Sequence, residues 1–91
     1  MVTLEEMKQY LRVDYPDDDV LIETLIASSE RLCAAISRIS LEEYKEIPDE
    51  NTRTAVLYAV AYQYEHREDA DHHQLTLDLR SLLFGIRKEG F

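Results

Sequence analysis

The sequence predicts an all-α fold, a small bundle of four to five helices that forms a single domain over residues 1–91. Three observations lead to this prediction. The chain has two glycines and two prolines, too few to supply the turns that β-strands need between them. Its apolar residues recur at the spacing of a helix face. Finally, 45% of the residues are apolar, enough for one modest core whose stability self-association would increase.

The first predicted helix begins after Thr3. Thr3 and Glu6 have the spacing of a capping box, in which a hydroxyl and a carboxylate each bond a backbone N–H that the helix leaves unpaired. The helix must end before Pro16, because a proline pushes the preceding residue out of the helical region.

The second predicted helix runs from about residue 18 to about residue 39. Asp17 or Asp18 is placed to cap it, and acidic side chains are favourable at the positive end of the helix dipole. Cys33 lies on its apolar stripe, where a free cysteine packs as a small apolar side chain. The stripe is wide enough for packing on more than one side.

A short helix is predicted after Ser40, since Ser40 and Glu43 repeat the capping-box spacing. The alternative is a polar loop pinned by apolar residues. A longer helix follows Pro48, because proline suits a first helical turn. Residues 54–64 of this helix are apolar or aromatic nearly all round, which is typical of a helix that is central or covered on its far side by another subunit.

The end of the chain is predicted to be a loop followed by one more helix. Residues 67–74 are polar and favour a loop, and the last helix spans about residues 76–86. Leu82 and Leu83 belong to its apolar set.

Tyr58 and Tyr62 are four residues apart, so they share one face of the helix after Pro48. One interpretation is that both rings fill the margin of the core. The other is a subunit interface, because tyrosine offers a large contact area with few rotatable bonds. The sequence leaves both interpretations open.

The net charge of −9 is unevenly distributed. Residues 1–50 carry 13 acidic and five basic side chains, whereas residues 51–91 carry six acidic and five basic ones. Such a chain is expected to bind duplex nucleic acid poorly, because that affinity depends largely on neutralising phosphates. No apolar run reaches the roughly 20 residues that span a bilayer, and the N-terminus lacks the features of a signal peptide. We therefore expect an unexported protein with no membrane association.

No motif indicates catalysis, a cofactor or a metal site. Residues 66–73 include three histidines, but His72 and His73 are adjacent and would diverge by about 100° on a helix, so a solvated loop is favoured over a zinc or nickel site. The pair at residues 28–29 lacks the glycines of a serine nucleophile elbow. A single cysteine excludes an internal disulfide framework. We expect no enzymatic activity and no cofactor.

Three stretches resemble the small head–tail connector, or adaptor, proteins of tailed bacteriophages, also labelled phage DNA-packaging proteins. Residues 3–14, an acidic turn and residues 21–29 look like the first two helices of that family. Residues 48–68 look like its third helix, and residues 82–87 look like its terminal Leu-Leu-to-Arg signature. Each motif is short, and their order and spacing carry the resemblance.

The resemblance implies an all-α protein that forms a homo-oligomeric ring beneath the portal protein. The tail or a stopper protein would dock on the ring, and DNA would pass through it without sequence-specific binding. The protein would then lie at the virion head–tail junction, after assembly in the host cytoplasm. An acidic ring wall would repel phosphates, and we assign this channel role to Asp17, Asp18 and Asp19.

Interface residues are expected in the helix after Pro48 and in the last helix. Tyr64, Arg67 and Glu68 would tie the end of the former to its neighbours, and Arg87 would lie near the negative end of the latter. The whole expected interface is Tyr58, Tyr62, Tyr64, Arg67, Glu68, Leu82, Leu83 and Arg87.

Two other functions fit the same sequence. An acidic interaction module, such as a DNA mimic or an inhibitor of a basic protein, agrees with the small size and the charge of −9. It predicts salt-sensitive binding to a basic partner and no self-assembly. A metalloenzyme built on the histidine-rich segment predicts metal that copurifies with the protein.

Overall fold

A computed structural model describes residues 1–85, and within them the chain forms five α-helices and no β-strand. The predicted all-α bundle is confirmed, and the short helix after Ser40 is present. The helices are α1 (Leu4–Leu11), α2 (Asp19–Ser37), α3 (Leu41–Glu46), α4 (Glu50–Glu65) and α5 (His72–Leu82).

Both predicted capping boxes are formed. The Thr3 hydroxyl accepts the N–H of Glu6 at 3.1 Å, and the Ser40 hydroxyl accepts the N–H of Glu43 at 3.1 Å. Asp18 precedes α2, as predicted, but its side chain makes no cap hydrogen bond there. Its carboxylate binds side chains from the end of α4 instead, as described below.

The first helix ends before Pro16 and the second ends close to residue 39, as predicted, and each ends at an arginine in the left-handed conformation. Arg12 has a φ of 61° and Arg38 a φ of 62°, a region that costs a non-glycine residue about 1–2 kcal/mol. The next residue then donates its N–H back into the helix, as Val13 does to the Lys8 carbonyl at 2.9 Å. The chain therefore turns well before Pro16, and no glycine in the sequence marks either end.

The last helix begins four residues earlier than predicted. Asp71 caps it by accepting the N–H of Gln74 at 2.9 Å, so the helix starts at His72 and the predicted loop is shortened. The predicted end at Ile86 lies outside the described residues.

The centre of the bundle is the pair formed by α2 and α4, against which the other helices pack. One side of α4 is buried, while its opposite side, including Leu57 and Tyr58, stays partly exposed. The fully buried side chains include Met7, Ile22, Cys33, Tyr44, Val56, Val60, Leu75, Leu79 and Leu83.

The described part of the molecule is flat, since its Cα atoms extend over 44 × 28 × 16 Å. Packed helix axes lie about 8–10 Å apart, so the thin direction has room for about two layers of helices. Each helix therefore keeps one face near solvent. No helix in residues 1–85 is both long and apolar enough to cross a membrane.

Candidate interaction surfaces

The first candidate surface is an acidic corner where α2 begins and α4 ends. Tyr64 donates its hydroxyl hydrogen to Asp18 Oδ2 at 2.6 Å. Arg67 Nη1 lies 3.9 Å from the same oxygen, and its guanidinium lies over the Tyr64 ring, 5.0 Å from the centroid. The hydrogen bonds to Asp18 and Tyr15 raise the pKa of Tyr64 above its usual range. The structure thus joins Asp18, a predicted channel residue, to two predicted interface residues.

The three acids of residues 17–19 differ in their surroundings. Asp17 is exposed, and Asp18 takes part in the contacts just described. Asp19 Oδ1 lies 2.7 Å from Lys8 Nζ, an ion pair that ties α1 to α2. Two of the three charges are therefore balanced within the molecule. Glu68 is exposed close by and lines a shallow depression with Tyr64 and Arg67.

The second candidate surface is an aromatic groove of about 590 Å³ between α1 and α4. Tyr58 donates its hydroxyl hydrogen to Asp78 Oδ2 at 2.6 Å, and the Tyr62 hydroxyl accepts the N–H of Asp71 at 3.0 Å. The Tyr62 ring stacks on His66, with centroids 4.3 Å apart and planes at 19°. The groove is lined by Tyr10, Tyr58, Ala61, Tyr62, Glu65 and His66.

These contacts give Tyr58 and Tyr62 two roles at once. Their hydroxyl groups hold α5 and the loop before it against α4, while their rings remain partly exposed in the groove. The hydrogen bond to Asp78 raises the pKa of Tyr58 and lowers the pKa of Asp78, which Gln74 also contacts at 2.9 Å. Both interpretations of these tyrosines therefore agree with the monomer.

Tyr10 is a groove residue that sequence analysis missed. Its side chain is 53% exposed and comes from α1, so it faces the groove without contributing to the core. The available signal was a large aromatic ring on the polar side of a short amphipathic helix, where such a ring is more informative than an exposed leucine.

A third cluster of functional groups lies inside the bundle and offers no surface. Tyr44 is fully buried and donates its hydroxyl hydrogen to the Thr52 carbonyl at 2.7 Å, which anchors α3 to the first turn of α4. Cys33 lies beside it and is also fully buried, which confirms its predicted place in the core. Burial raises the pKa of the Cys33 thiol to about 11, so the thiol is protonated at neutral pH. Lys45 Nζ lies 3.8 Å from the buried carboxylate of Glu30.

The two leucines of the predicted interface are placed differently. Leu82 is half-buried, whereas Leu83 is fully buried in the core of its own chain. Leu83 therefore anchors the end of the bundle and has no area to offer a neighbour, which corrects its assignment to the interface. Arg87 lies outside the described residues. Among the described residues of this end, Leu77 and Phe84 are exposed apolar side chains that sequence analysis did not single out.

The histidine-rich segment shows no arrangement suited to a metal ion. His72 and His73 are exposed in the first turn of α5, whereas His66 is stacked on Tyr62. Within residues 1–85, no group of three or more histidine, cysteine or acidic side chains is placed to hold a metal.

Comparison with known proteins identified one family. Its model, described as phage gp6-like head-tail connector protein, matches residues 1–88, nearly the whole chain. Comparisons with curated proteins and with solved structures found no match.

Proposed function

The chain belongs to the phage gp6-like head-tail connector family, and we propose that it assembles with copies of itself into a ring beneath the portal, through which DNA passes toward the tail. Membership in this family implies a structural connecting role at the virion head–tail junction, with portal and tail proteins as partners. Beyond what the family implies, we propose that the chain forms a ring, that DNA passes through it, and that assembly takes place in the host cytoplasm.

The observation that supports ring assembly is that aromatic side chains of α4 are partly exposed. A flat bundle leaves Tyr58 and Tyr62 partly exposed one turn apart on α4, and Tyr64 partly exposed on another side of the same helix. Tyrosine and arginine are enriched where protein surfaces meet, and an exposed aromatic groove is costly to leave in water. A neighbouring subunit that covers the groove would remove this cost.

The proposed interface has two parts, the groove and the acidic corner. Tyr58 and Tyr62 contribute their ring faces in the groove, and the corner contributes Tyr64, Arg67 and Glu68. The interface also includes the half-buried Leu82 of α5 and, beyond the described residues, Arg87. Leu83 supports this end from inside the core.

The charge distribution supports passage of DNA without sequence-specific binding. Residues 1–50 carry 13 acidic and five basic side chains, and a wall of that sign repels phosphates. Because Asp18 and Asp19 are paired within the molecule, Asp17 is the member of this run whose charge is free to act on DNA.

Light scattering during size-exclusion chromatography tests the ring, with the chain alone over a range of concentrations and with the portal protein of the same phage. We expect the mass to increase toward a closed oligomer in at least one setting. Tyr10→Ser should weaken this assembly and leave the unfolding midpoint unchanged, because Tyr10 is largely exposed. Gln9→Ser is the matched control, since Gln9 is an exposed neighbour on α1 that does not line the groove.

Two results would count against the ring. A monomer in both settings contradicts it, and salt-sensitive binding of that monomer to a basic protein would favour the acidic interaction module. Equal assembly of Tyr10→Ser and Gln9→Ser would remove the groove from the interface.

Charge reversal at Asp17 tests the channel role. Asp17→Lys should reduce the DNA content or the titre of assembled phage, whereas Glu42→Lys, the same change at an exposed site on α3, should not. Equal titre and equal DNA content for both variants would contradict a role for Asp17 in DNA passage.

A further inference from the structure

Two exposed faces outside the aromatic groove combine apolar side chains with opposite charge. The acidic face lies at the start of α2 and consists of Val20, Glu23 and Tyr15, with Asp17 at its rim. Val20 is 77% exposed and Tyr15 is 46% exposed, and both acids are exposed as well. Exposure of Val20 to this extent in the first turn of a packed helix leaves apolar area that the monomer does not cover.

The basic face lies along the outer side of α5 and the turn after it. It consists of Leu77, Arg80, Ser81 and Phe84, which are spaced three, four and seven residues apart and so lie on one side of the helix. Leu77 is 43% exposed and Phe84 is 78% exposed. Arg80 is exposed and makes no ion pair with any residue of the described chain.

Within residues 1–85, no acidic side chain forms an ion pair with Arg80 of the basic face. The one acidic residue of α5 is Asp78, and its carboxylate is occupied by Tyr58 and Gln74. On the acidic face, Asp18 and Asp19 are balanced by Arg67 and Lys8. That leaves Glu23 and Asp17 as the local excess of negative charge. The two faces are therefore complementary in sign.

The distance between the faces prevents them from meeting within one molecule. Arg80 lines a depression with Ala35 and Ile36 of α2. Ala35 is fifteen residues after Val20 on the same helix. At 1.5 Å per residue, this places the basic face about 22 Å along α2 from the acidic one. A second copy of the chain can bring them together.

We propose that the acidic face of one copy packs against the basic face of the next, so that copies join head to tail. This inference rests on the proposed function, since it adds to the groove and the acidic corner a second pair of surfaces that meet in the ring. Two different surfaces on one chain form a heterologous contact, which generates a closed ring when the rotation between copies closes. Pairing of identical faces would place Glu23 against Glu23 or Arg80 against Arg80, which like-charge repulsion disfavours.

Cysteine cross-linking distinguishes this arrangement from its alternatives. A chain that carries both Val20→Cys and Leu77→Cys should form a ladder of covalent dimers, trimers and larger species under mild oxidation. Each single variant should give no more than dimers, because a head-to-tail contact brings different positions together. Cys33 can remain in place, since it is fully buried, and the unmodified chain should not cross-link.

Charge exchange provides the second arm of the test. Arg80→Glu and Glu23→Arg should each lower the yield of the ladder at least several-fold, and their combination should restore it. Glu42→Arg is the matched control, because it makes the same charge change at an exposed site on α3 outside both faces.

The outcomes separate this inference from the ring itself. If the unmodified chain assembles by light scattering but the double-cysteine variant gives only the dimers of the single variants, the head-to-tail pairing is wrong and the ring stands. Equal ladders from the single-charge variants and the control would also overturn the pairing. If the unmodified chain does not assemble alone or with the portal and no ladder forms, the ring and the pairing both fail.

Discussion

The two ends of α4 use tyrosine in opposite ways. At the first turn, Tyr44 reaches in from α3, is fully buried and donates to the backbone carbonyl of Thr52. In the second half of α4, Tyr58 and Tyr64 are only half-buried and donate to the carboxylates of Asp78 and Asp18. The first turn is therefore a closed end, where the tyrosine is fully covered by the chain itself. The second half is an open end, where tyrosine side chains stay partly exposed to solvent.

This difference indicates which part of the monomer is fully packed by its own chain and which part leaves surface for a partner. A buried tyrosine with a backbone partner contributes apolar area and a shielded hydrogen bond, so it serves the stability of the fold. A half-exposed tyrosine bound to a solvated carboxylate contributes little stability but keeps a ring face available to a neighbour. We therefore expect substitutions at the closed end to change the free energy of unfolding, and those at the open end to change assembly.

The largest effect is expected at Tyr44. Tyr44→Ala removes a fully buried ring and should lower the free energy of unfolding by about 3–5 kcal/mol. Tyr44→Phe keeps the ring but loses the hydrogen bond to Thr52, so it should lower the free energy of unfolding by about 0.5–1.5 kcal/mol. Chemical denaturation monitored by circular dichroism measures both.

The matched change at the open end is Tyr64→Phe. Because the Tyr64 hydroxyl is partly exposed, its loss should lower the free energy of unfolding by about 0.5 kcal/mol or less. If Tyr64→Phe lowers the free energy of unfolding as much as Tyr44→Phe does, the two tyrosines contribute equally to stability. That result would contradict the proposed difference between the two ends.

The next effect is a loss of stability in alkaline solution, caused by the buried thiol. The pKa of Cys33 is raised from 9.0 to about 11 by burial. As the pH rises from 9.0 toward 11, the unfolded chain releases this proton before the folded chain does, so the free energy of unfolding falls. Cys33→Ala should reduce this pH dependence.

Denaturation midpoints across the alkaline range measure this effect. An equal slope for Cys33→Ala and the unmodified chain would show that the thiol does not contribute. A thiol reagent should likewise modify Cys33 no faster than the chain opens, since the sulfur is inaccessible in the folded protein.

The smallest effect is expected at Asp78, in acid. Hydrogen bonds from Tyr58 and Gln74 lower the pKa of Asp78 below its ordinary value of 3.8. The stabilisation from these bonds is therefore fully present above pH 3.8. It is lost as the pH falls through the lowered pKa that Asp78 has in the folded chain. Tyr58→Phe should weaken the dependence on acid pH, which midpoints at neutral and acid pH would reveal. An unchanged acid dependence in this variant would mean that the hydrogen bond is not maintained in solution.

The starts of α1 and α3 followed from the sequence, because capping acts over a few residues. Thr3 with Glu6 and Ser40 with Glu43 form both predicted boxes, since a hydroxyl and a carboxylate three residues apart need only their own backbone. Asp71 was missed as a cap because residues 67–74 read as a uniformly polar loop.

The ends of α1 and α2 and the exposure of individual side chains were decided by tertiary structure. Arg12 and Arg38 adopt the left-handed conformation without a glycine to mark them, where the following chain must turn to pack. Leu83 is buried and Leu77 exposed, although both are leucines near the end of the chain. The spacing of apolar residues and the bonds of the two capping boxes are set by residues close in sequence, so the sequence predicted the helices. Burial depends on which surface another helix brings, so the fold alone decided which apolar and aromatic side chains remain for a partner.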